Sequence, residues 1–333
     1  MKNIIKNKII LVTGGTGSFG KAFIKRILEE NPKAIRVYSR DELKQHEMQI
    51  AFGNDKRLRF FIGDVRDKQR LSRACNGADY IVHAAALKHV LACEYNPIEA
   101  IKTNIYGAIN VIDAALDNNI EKVIALSTDK ASQPINLYGA TKLCSDKLMV
   151  QANNYRGKRH TKFSVVRYGN VMASRGSVIP FFYDQAKQGK LTITDDEMTR
   201  FWISLDEAVE FVLDSFPLMK GGEIFVPKIP SMNIIDLAEV IAPKAEMEII
   251  GLRPGEKLHE SLISAEESLY TYDIGNRYMI EPSSVVNWEN ESIKYSQKKE
   301  VPLDFTYTSL NNPDYLTKKQ MRAQLKKLNL HSK

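Results

Sequence analysis

The chain has 333 residues, 44% of them hydrophobic and 26% charged, which suits one large α/β unit with an appended lobe, or two domains. No apolar run approaches the roughly 18 residues needed to cross a bilayer, which argues against a membrane-embedded protein. The net charge of +7 does not point to nucleic acid, because residues 315–333 carry Lys318, Lys319, Arg322, Lys326, Lys327 and Lys333 without a single acid, and the rest of the chain is close to neutral.

The opening "MKNIIKNKIILVTGG" has a short apolar stretch, no small-residue cleavage site, and runs into a glycine-rich turn, so it is expected to form a first strand and not a signal peptide. Further strands are expected at "AIRVYS", "LRFFIG", "YIVHAA", "KVIALS" and "KFSVVRYG". Helical patterns such as "GKAFIKRILEE", "IEAIKTNIYGAINVIDAALDNN" and "TKLCSDKLMVQANN" alternate with them. Strands apolar along most of their length are buried on both faces, which predicts a doubly wound parallel sheet of the Rossmann type. After about residue 170 the alternation weakens. "EIFVPK" and "MEIIGL" are expected as strands around the helix "IIDLAEVIA". The expected division is a dinucleotide-binding domain over 1–170, a smaller substrate-binding lobe over 171–280 with some segments returning to the main sheet, and a C-terminal extension over 281–333. In that extension Met321, Leu325 and Leu328 recur at i, i+4 and i+7, the pattern of a small amphipathic helix with a solvated basic face.

Cys75, Cys93 and Cys144 are widely spaced, and the six His show no metal-binding spacing. A disulfide framework and a metal site are therefore not expected, and the pattern fits a reducing cytoplasm.

"VTGGTGSFGK" follows the first strand and opens a helix. Gly15, Gly17 and Gly20 satisfy G-x-G-x-x-G, and Gly14, Gly17 and Gly20 its G-x-x-G-x-x-G variant. Such a turn lets backbone approach a pyrophosphate at the positive end of a helix, so Gly14, Thr16, Gly17, Ser18, Phe19 and Gly20 are expected to hold a dinucleotide. The second strand ends in Ser39, Arg40 and Asp41. Arg40 beside a ribose 2′-phosphate favours NADP; the alternative is a surface Arg40 with Asp41 on the ribose. Asp64 and Val65 after the third strand are placed to touch adenine, and Ala84, Ala85 and Ala86 after the fourth let a cofactor lie close, unless all five only pack strand ends.

In "STDKASQPINLYGATK", Tyr138 and Lys142 stand at i and i+4 and share a helix face. A free Tyr, with a pKa of about 10, is a poor base at neutral pH, but a nearby ammonium and an oxidised nicotinamide favour its phenolate. Such a pair removes an alcohol proton while hydride leaves to the cofactor.

The glycine turn together with "YSRDELKQ", "GDVRD", "HAAALKHV", "STDKA" and "NLYGATK" resembles the extended short-chain dehydrogenase/reductase superfamily, and more narrowly its inverting UDP-N-acetylglucosamine 4,6-dehydratases, which start bacterial pseudaminic acid synthesis. The resemblance continues through "RYGNV", "SRGSVIPFF", "MTRFWISLDEAV", "GGEIFVPKIPSM" and "RPGEKLHE", over about residues 8–262. Two departures stand out: Ala173, after Met172, where the family usually has Gly, and Leu91 where it tends to have Pro.

The resemblance implies oxidation at sugar C4, loss of the C5 proton and the C6 hydroxyl, and return of hydride to C6. It implies Lys130 as the C5 base, Asp129 as the acid at C6 and Thr128 as a hydrogen-bond partner of the C4 hydroxyl. For Lys130 to act as a base its pKa must fall well below about 10.4, and burial, Lys142 and nicotinamide are expected to lower it against Asp129. Lys88 is expected near the hexose and nicotinamide ribose, with His89 a structural hydrogen-bonder. Asn170 matches a substrate contact, Arg253 and Glu256 match diphosphate and uridine contacts, and Arg200 is a further diphosphate candidate. A homo-oligomer is also implied. The competing readings are a UDP-hexose 4-epimerase, which has no use for Asp129 and Lys130, and a non-catalytic nucleotide-sugar or NADP sensor, which has no use for Tyr138 and Lys142.

Overall fold

The computed structural model describes residues 4–174, 176–285, 295 and 297–328. Arg175 of "SRGSV" and the end of the basic tail, including Lys333, lie outside the described residues. The N-terminal part runs β1 (Ile9–Thr13), α1 (Ser18–Leu28), β2 (Ala34–Ser39), α2 (Glu42–Ala51), β3 (Leu58–Ile62), α3 (Lys68–Cys75) and β4 (Tyr80–His83). It continues with α4 (Val90–Tyr95), α5 (Pro97–Ile101), α6 (Gly107–Asp117), β5 (Lys122–Thr128), α7 (Leu137–Tyr155) and β6 (Lys162–Tyr168). The stretch expected as one helix from residue 98 to 119 is interrupted: a π turn over Lys102–Tyr106 separates α5 from α6. The turn buries Thr103 and Asn104 against the core.

Beyond residue 170 come β7 (Asn170–Val171), α8 (Val178–Ala186), β8 (Lys190–Ile193), β9 (Thr199–Ile203), α9 (Leu205–Ser215), β10 (Ile224–Pro227), β11 (Ser231–Asn233), α10 (Ile234–Ile241) and β12 (Glu246–Ile249). Last are β13 (Ser261–Ile263), β14 (Thr271–Asp273), β15 (Arg277–Ile280), β16 (Lys299–Glu300), β17 (Tyr307–Thr308) and α11 (Lys318–Lys327). Among the described residues the main sheet has the order β16-β14-β15-β10-β6-β5-β4-β1-β2-β3. Its members from β10 to β3 pair in parallel, and β15, β14 and β16 extend it antiparallel. This is a Rossmann-type doubly wound sheet, with strand order reversing between β1 and β4, where such sheets open a crevice at their carboxyl ends. β4, β6 and β10 are buried along nearly their whole length, as strands covered on both faces must be.

"EIFVPK" thus returns to the main sheet as β10, while "MEIIGL" stays outside it, where β12 pairs with β8. A separate apolar cluster gathers α8, β8, β9 and α10, and α11 closes it with Met321 and Leu325. The sequence pattern of the tail helix was therefore a packing pattern. Thr317 and Gln320 form a capping box at its start, and Lys318 bridges to Asp236. No helix among the described residues is long and apolar enough to cross a membrane.

Candidate active site

A cleft of about 870 Å³ opens along the carboxyl ends of the parallel strands. Its wall includes Gly14, Thr16, Gly17, Ser18, Phe19, Gly20, Ser39, Arg40, Asp41, Asp64, Val65, Ala84, Lys88, Thr128, Lys130, Tyr138, Lys142, Asn170, Arg200 and Glu256. Of the residues expected to hold or act on cofactor or substrate, two stand off the wall. Asp129 is fully buried one layer behind it, and Arg253 projects at the rim with 41% of its side chain exposed.

On the cofactor side, Gly14 has φ +67°, and a Cβ there would lie 2.9 Å from the Ala84 carbonyl carbon and the Ala85 nitrogen. Any other residue would strain the turn and collide with the neighbouring loop. α1 starts after Gly17 with no side-chain cap, so the positive end of the helix faces the turn and fits the pyrophosphate of a dinucleotide. At the end of β2, Asp41 is already engaged: its carboxylate caps α2, accepting from the Lys44 N–H at 3.0 Å and the Lys44 ammonium at 2.5 Å. The Lys44 ammonium, then the Lys44 N–H, hold its pKa below the ordinary carboxylate value. Arg40 has 58% of its side chain exposed and stands 3.8 Å from Asp64. Asp64 in turn accepts from Arg66 Nη2 at 2.7 Å. Under the strands, His83 Nδ1 lies 2.8 Å from the Thr13 hydroxyl, and burial followed by Lys142 depresses its pKa to about 3, so it is a neutral imidazole.

The chemistry-bearing groups sit where β5 ends. Thr128 Oγ1 donates to Asp129 Oδ1 at 2.9 Å, and Lys130 Nζ donates to the same oxygen at 3.1 Å. Lys130 Nζ also pairs with Glu260 Oε1 at 2.9 Å. Asn136 caps α7, accepting from Gly139 N at 2.7 Å, which sets Tyr138 on the first turn facing this group. A Cβ on Gly139 would come within 2.2 Å of the Lys130 carbonyl oxygen, so the glycine lets the Tyr helix approach the Lys130 turn. Burial pushes the Tyr138 phenol up to about 12, and Lys130 is the strongest influence pulling it down, ahead of the Thr128 hydroxyl. Lys142 is fully within the fold, and burial lowers its pKa against Asp146. Asp146 is anchored by Ser127 at 2.7 Å and by Arg167 at 3.6 Å.

One expectation is corrected here. Lys130 was expected to have its pKa lowered. Burial does act in that direction, but the carboxylates of Asp129 and Glu260 outweigh it, and the free protein holds Lys130 as a firm ammonium. Among one cation and two buried carboxylates, Glu260 carries the negative charge, because Lys130 and Arg200 outweigh its burial. Asp129 is driven toward its protonated form by burial, with Glu260 adding repulsion. Its Oδ2 is buried without a partner.

On the substrate side, Lys257 Nζ donates to Ser132 O at 2.6 Å, and Asn136 Nδ2 donates to Gly255 O at 2.7 Å. These two bonds fasten the "RPGEK" loop to the start of the Tyr helix. Glu256 keeps a buried Oε2 with no partner, and its Oε1 lies 3.9 Å from Arg253 Nη1. Arg200, 8% exposed, donates to the carbonyls of Thr199 at 2.7 Å, Leu258 at 3.0 Å and Lys257 at 2.9 Å. Its donors thus hold backbone, and its charge lies beside Glu260, 3.8 Å from Nε. Lys88 stands exposed at the cleft, and partial desolvation followed by Lys130 lowers its pKa. Ala173 has φ +53°, a left-handed conformation that explains why glycine suits the position in the family. Leu91 is 60% exposed in the first turn of α4, where proline is tolerated and the leucine side chain meets solvent.

Sequence reasoning missed Glu260 and Lys257, although both lie in the quoted "RPGEKLHE". Their partners lie 130 and 125 positions earlier, and no local spacing signals such a pairing.

Comparison with known proteins agrees with this geometry. Residues 10–282 match the polysaccharide biosynthesis protein family. The chain is 56% identical to the UDP-N-acetylglucosamine 4,6-dehydratase (inverting) of Campylobacter jejuni strain 81-176, covering 96% of this chain and 97% of that one. It is 47% identical to a protein named UDP-glucose 4-epimerase from Rickettsia prowazekii, over 92% of each chain. The X-ray structure of Pen from Bacillus thuringiensis superposes with a TM-score of 0.91 at 39% identity, covering 98% of this chain and 99% of that one. With a Rossmann sheet, a glycine turn, a Tyr and Lys on one helix face and a Thr-Asp-Lys turn beside them, the chain belongs to the polysaccharide biosynthesis protein family and, within it, to the inverting UDP-N-acetylglucosamine 4,6-dehydratases of the extended short-chain dehydrogenase/reductase superfamily.

Proposed function

We propose that the protein is an NADP-dependent lyase that converts UDP-N-acetylglucosamine to a UDP-2-acetamido-2,6-dideoxy-4-keto-hexose with inversion at C5. The observation that carries this reading is the convergence of Tyr138, Thr128, Lys130 and the buried Asp129, whose pKa burial raises, at one end of a dinucleotide cleft. A nicotinamide cofactor held by the Gly14–Gly20 turn and Arg40 would supply hydride exchange between C4 and C6, and its positive charge when oxidised would favour the Tyr138 phenolate. Tyr138 removes the C4 hydroxyl proton, with Thr128 as the hydrogen-bond partner that fixes that hydroxyl. Lys130 removes the C5 proton, which the C4 ketone has made acidic. Asp129 supplies a proton to the departing C6 hydroxyl, and Thr128, whose hydroxyl donates to its Oδ1 at 2.9 Å, ties it to the cleft wall. The protons taken from C4–OH and C5 balance those needed by Asp129 and, on the opposite face, by C5.

The choice of NADP rests on Arg40, because Asp41 already caps a helix. Lys88, Asn170 and Glu256 line the sugar and uridine end, Arg253 approaches the diphosphate from the rim, and Arg200 contributes charge from behind the wall. An epimerase needs Tyr138 and the cofactor but leaves the buried Asp129–Lys130–Glu260 cluster without work. The test is incubation with UDP-N-acetylglucosamine in heavy water, followed by mass spectrometry and NMR. Loss of water and deuterium at an inverted C5 are expected; a C4 epimer without loss of water overturns the reading. The product suits the first step of pseudaminic acid or a related surface-sugar pathway, in the cytoplasm. We also propose a homo-oligomer, supported by Tyr95, Ile98 and Tyr106 standing exposed along α4, α5 and the π turn. Light scattering showing only a 37.8 kDa species would refute it.

A further inference from the structure

The ammonium state of Lys130 leaves a gap in this chemistry, because a base needs a free amine. We propose that Glu260 is the internal acceptor of the Lys130 proton, a positioning residue that frees the amine inside the site without exchange with solvent; the proposal rests on Lys130 being the C5 base. Glu260 is 2% exposed, and its Oε1 stands 2.9 Å from Lys130 Nζ. Its other oxygen, Oε2, is buried with no partner. The carboxylate is held in place from its own backbone, where Glu260 N donates to Ser309 Oγ at 2.9 Å. The charged and titratable groups facing the pair are Asp129 on the same turn, Arg200 from β9, Lys257 from its own segment, and Lys88 and Tyr138 across the cleft.

The step balances as follows. A Nζ–H bond of Lys130 breaks and an O–H bond forms on Glu260, turning an ion pair into a neutral pair. Substrate in the cleft excludes water and removes the solvation that favours the ion pair. The free amine then takes the C5 proton. The C5 electron pair becomes the C5–C6 double bond as the C6–O bond breaks, and the hydroxyl leaves as water with the Asp129 proton. Lys130 passes the C5 proton to the Asp129 carboxylate, 3.1 Å from its Nζ, and Glu260 then returns its proton to Lys130.

An internal transfer makes the elimination step independent of pH across the neutral range, since no proton enters or leaves. Without the carboxylate, only solvent can take the Lys130 proton, and the rate must rise with hydroxide. The experiment is single-turnover kinetics of the NADP-loaded enzyme with UDP-N-acetylglucosamine from pH 6.5 to 9. Reduced-nicotinamide absorbance reports the first hydride transfer, and quenched samples report loss of water. For Glu260→Gln we expect the first transfer to stay within about threefold of native, and elimination at pH 7 to fall about 10²-fold, the usual cost of one proton-transfer partner. Its elimination rate should then climb about tenfold per pH unit, where the native rate is flat. Glu260→Asp, which keeps a carboxylate one methylene shorter, should be slower than native but flat; a hydroxide-dependent profile in that variant overturns the proposal, and serves as the test if the Gln variant does not fold. Native elimination with a flat profile in Glu260→Gln, or equal loss of both steps, overturns it too. Elimination at the native rate in Lys130→Ala would instead remove Lys130 as the base and the proposal with it.

Discussion

At the adenine end of the cleft several polar contacts are local: Gly17 N donates to Gly14 O, the Asp41 carboxylate caps the helix at Lys44, and Asp64 holds Arg66. At the chemical end they span the chain: Lys130 meets Glu260, Lys257 meets Ser132, and Asn136 meets Gly255. The first end forms wherever a strand, a turn and a helix follow one another. The second exists only once residues 255–260 have docked on the start of the Tyr helix. The glycine turn is thus largely a local motif, while the acid–base cluster is a property of the completed fold.

The largest expected effects lie at the chemical end. Tyr138→Phe should block the first hydride transfer, by about 10²–10⁴ in rate, so that no reduced cofactor appears on mixing. Lys130→Ala should lose elimination by a similar factor yet still form reduced cofactor and a 4-keto sugar bearing its C6 hydroxyl. Because Lys130 is the strongest influence pulling the Tyr138 phenol down, its first step should also slow, by less than its second. Single-turnover absorbance resolves the two; equal losses at both steps in Lys130→Ala would erase the division of labour between these groups.

The adenine end should respond one group at a time. Arg40→Ala should weaken NADP binding by about 1.5–3 kcal/mol, the worth of a hydrogen bond to a charged group, and leave NAD unchanged. Asp41→Ala should lower stability slightly through the lost cap and shift neither affinity. Titration calorimetry with both cofactors checks both; a fall in NAD affinity for Asp41→Ala would restore Asp41 as the ribose ligand.

A third contrast concerns pH. His83 is neutral in the fold, its pKa taken from 6.5 to about 3 by burial and Lys142, so the unfolded chain binds more protons between those values. Stability is fully present above pH 6.5 and falls as the pH drops, by up to about 1.4 kcal/mol per unit from this group, with His259 acting in the same sense. Urea unfolding between pH 6.5 and 5 should show a shallower slope for His83→Asn; an unchanged slope would mean that His83 is already charged. The smallest effect is expected from Ala173→Gly. Relief of the left-handed φ of +53° against greater freedom of the unfolded chain should leave stability between neutral and about 1 kcal/mol higher by thermal melt.

The same contrast explains what was legible in the sequence. Strand after strand was visible, because apolar runs between turns are the direct imprint of burial on both faces; β2 matches "AIRVYS" residue for residue. The glycine turn and Tyr138 with Lys142 were visible because each is a spacing within one element. Glu260 was not, since a single carboxylate in a polar motif becomes functional only through a partner 130 residues away. The sign of the Lys130 shift failed in part for the same reason, since the distant Glu260 adds its charge to that of Asp129. The capping by Asp41 was equally hidden: an acid after a strand end suits a ribose or a helix start, and only the geometry of α2 separates them.

The π turn over Lys102–Tyr106 has a consequence for chain length. A π turn is one residue wider than the α-helical turn it replaces. Here that residue carries Asn104 into the fold, where its amide nitrogen donates to Leu87 O at 2.9 Å and Thr141 Oγ1 at 3.0 Å and its oxygen accepts from Leu87 N at 2.8 Å. One side chain thus buckles the loop after β4, which carries Lys88, to the helix that carries Tyr138 and Lys142. Removing any one residue from this turn would let α5 and α6 fuse, and everything before the cut would rotate by about 100° about the common axis. The buckle would swing away even if the residue removed were Ile105 or Tyr106, which do not line the cleft, so along this helix the number of residues matters to the site as much as their identity.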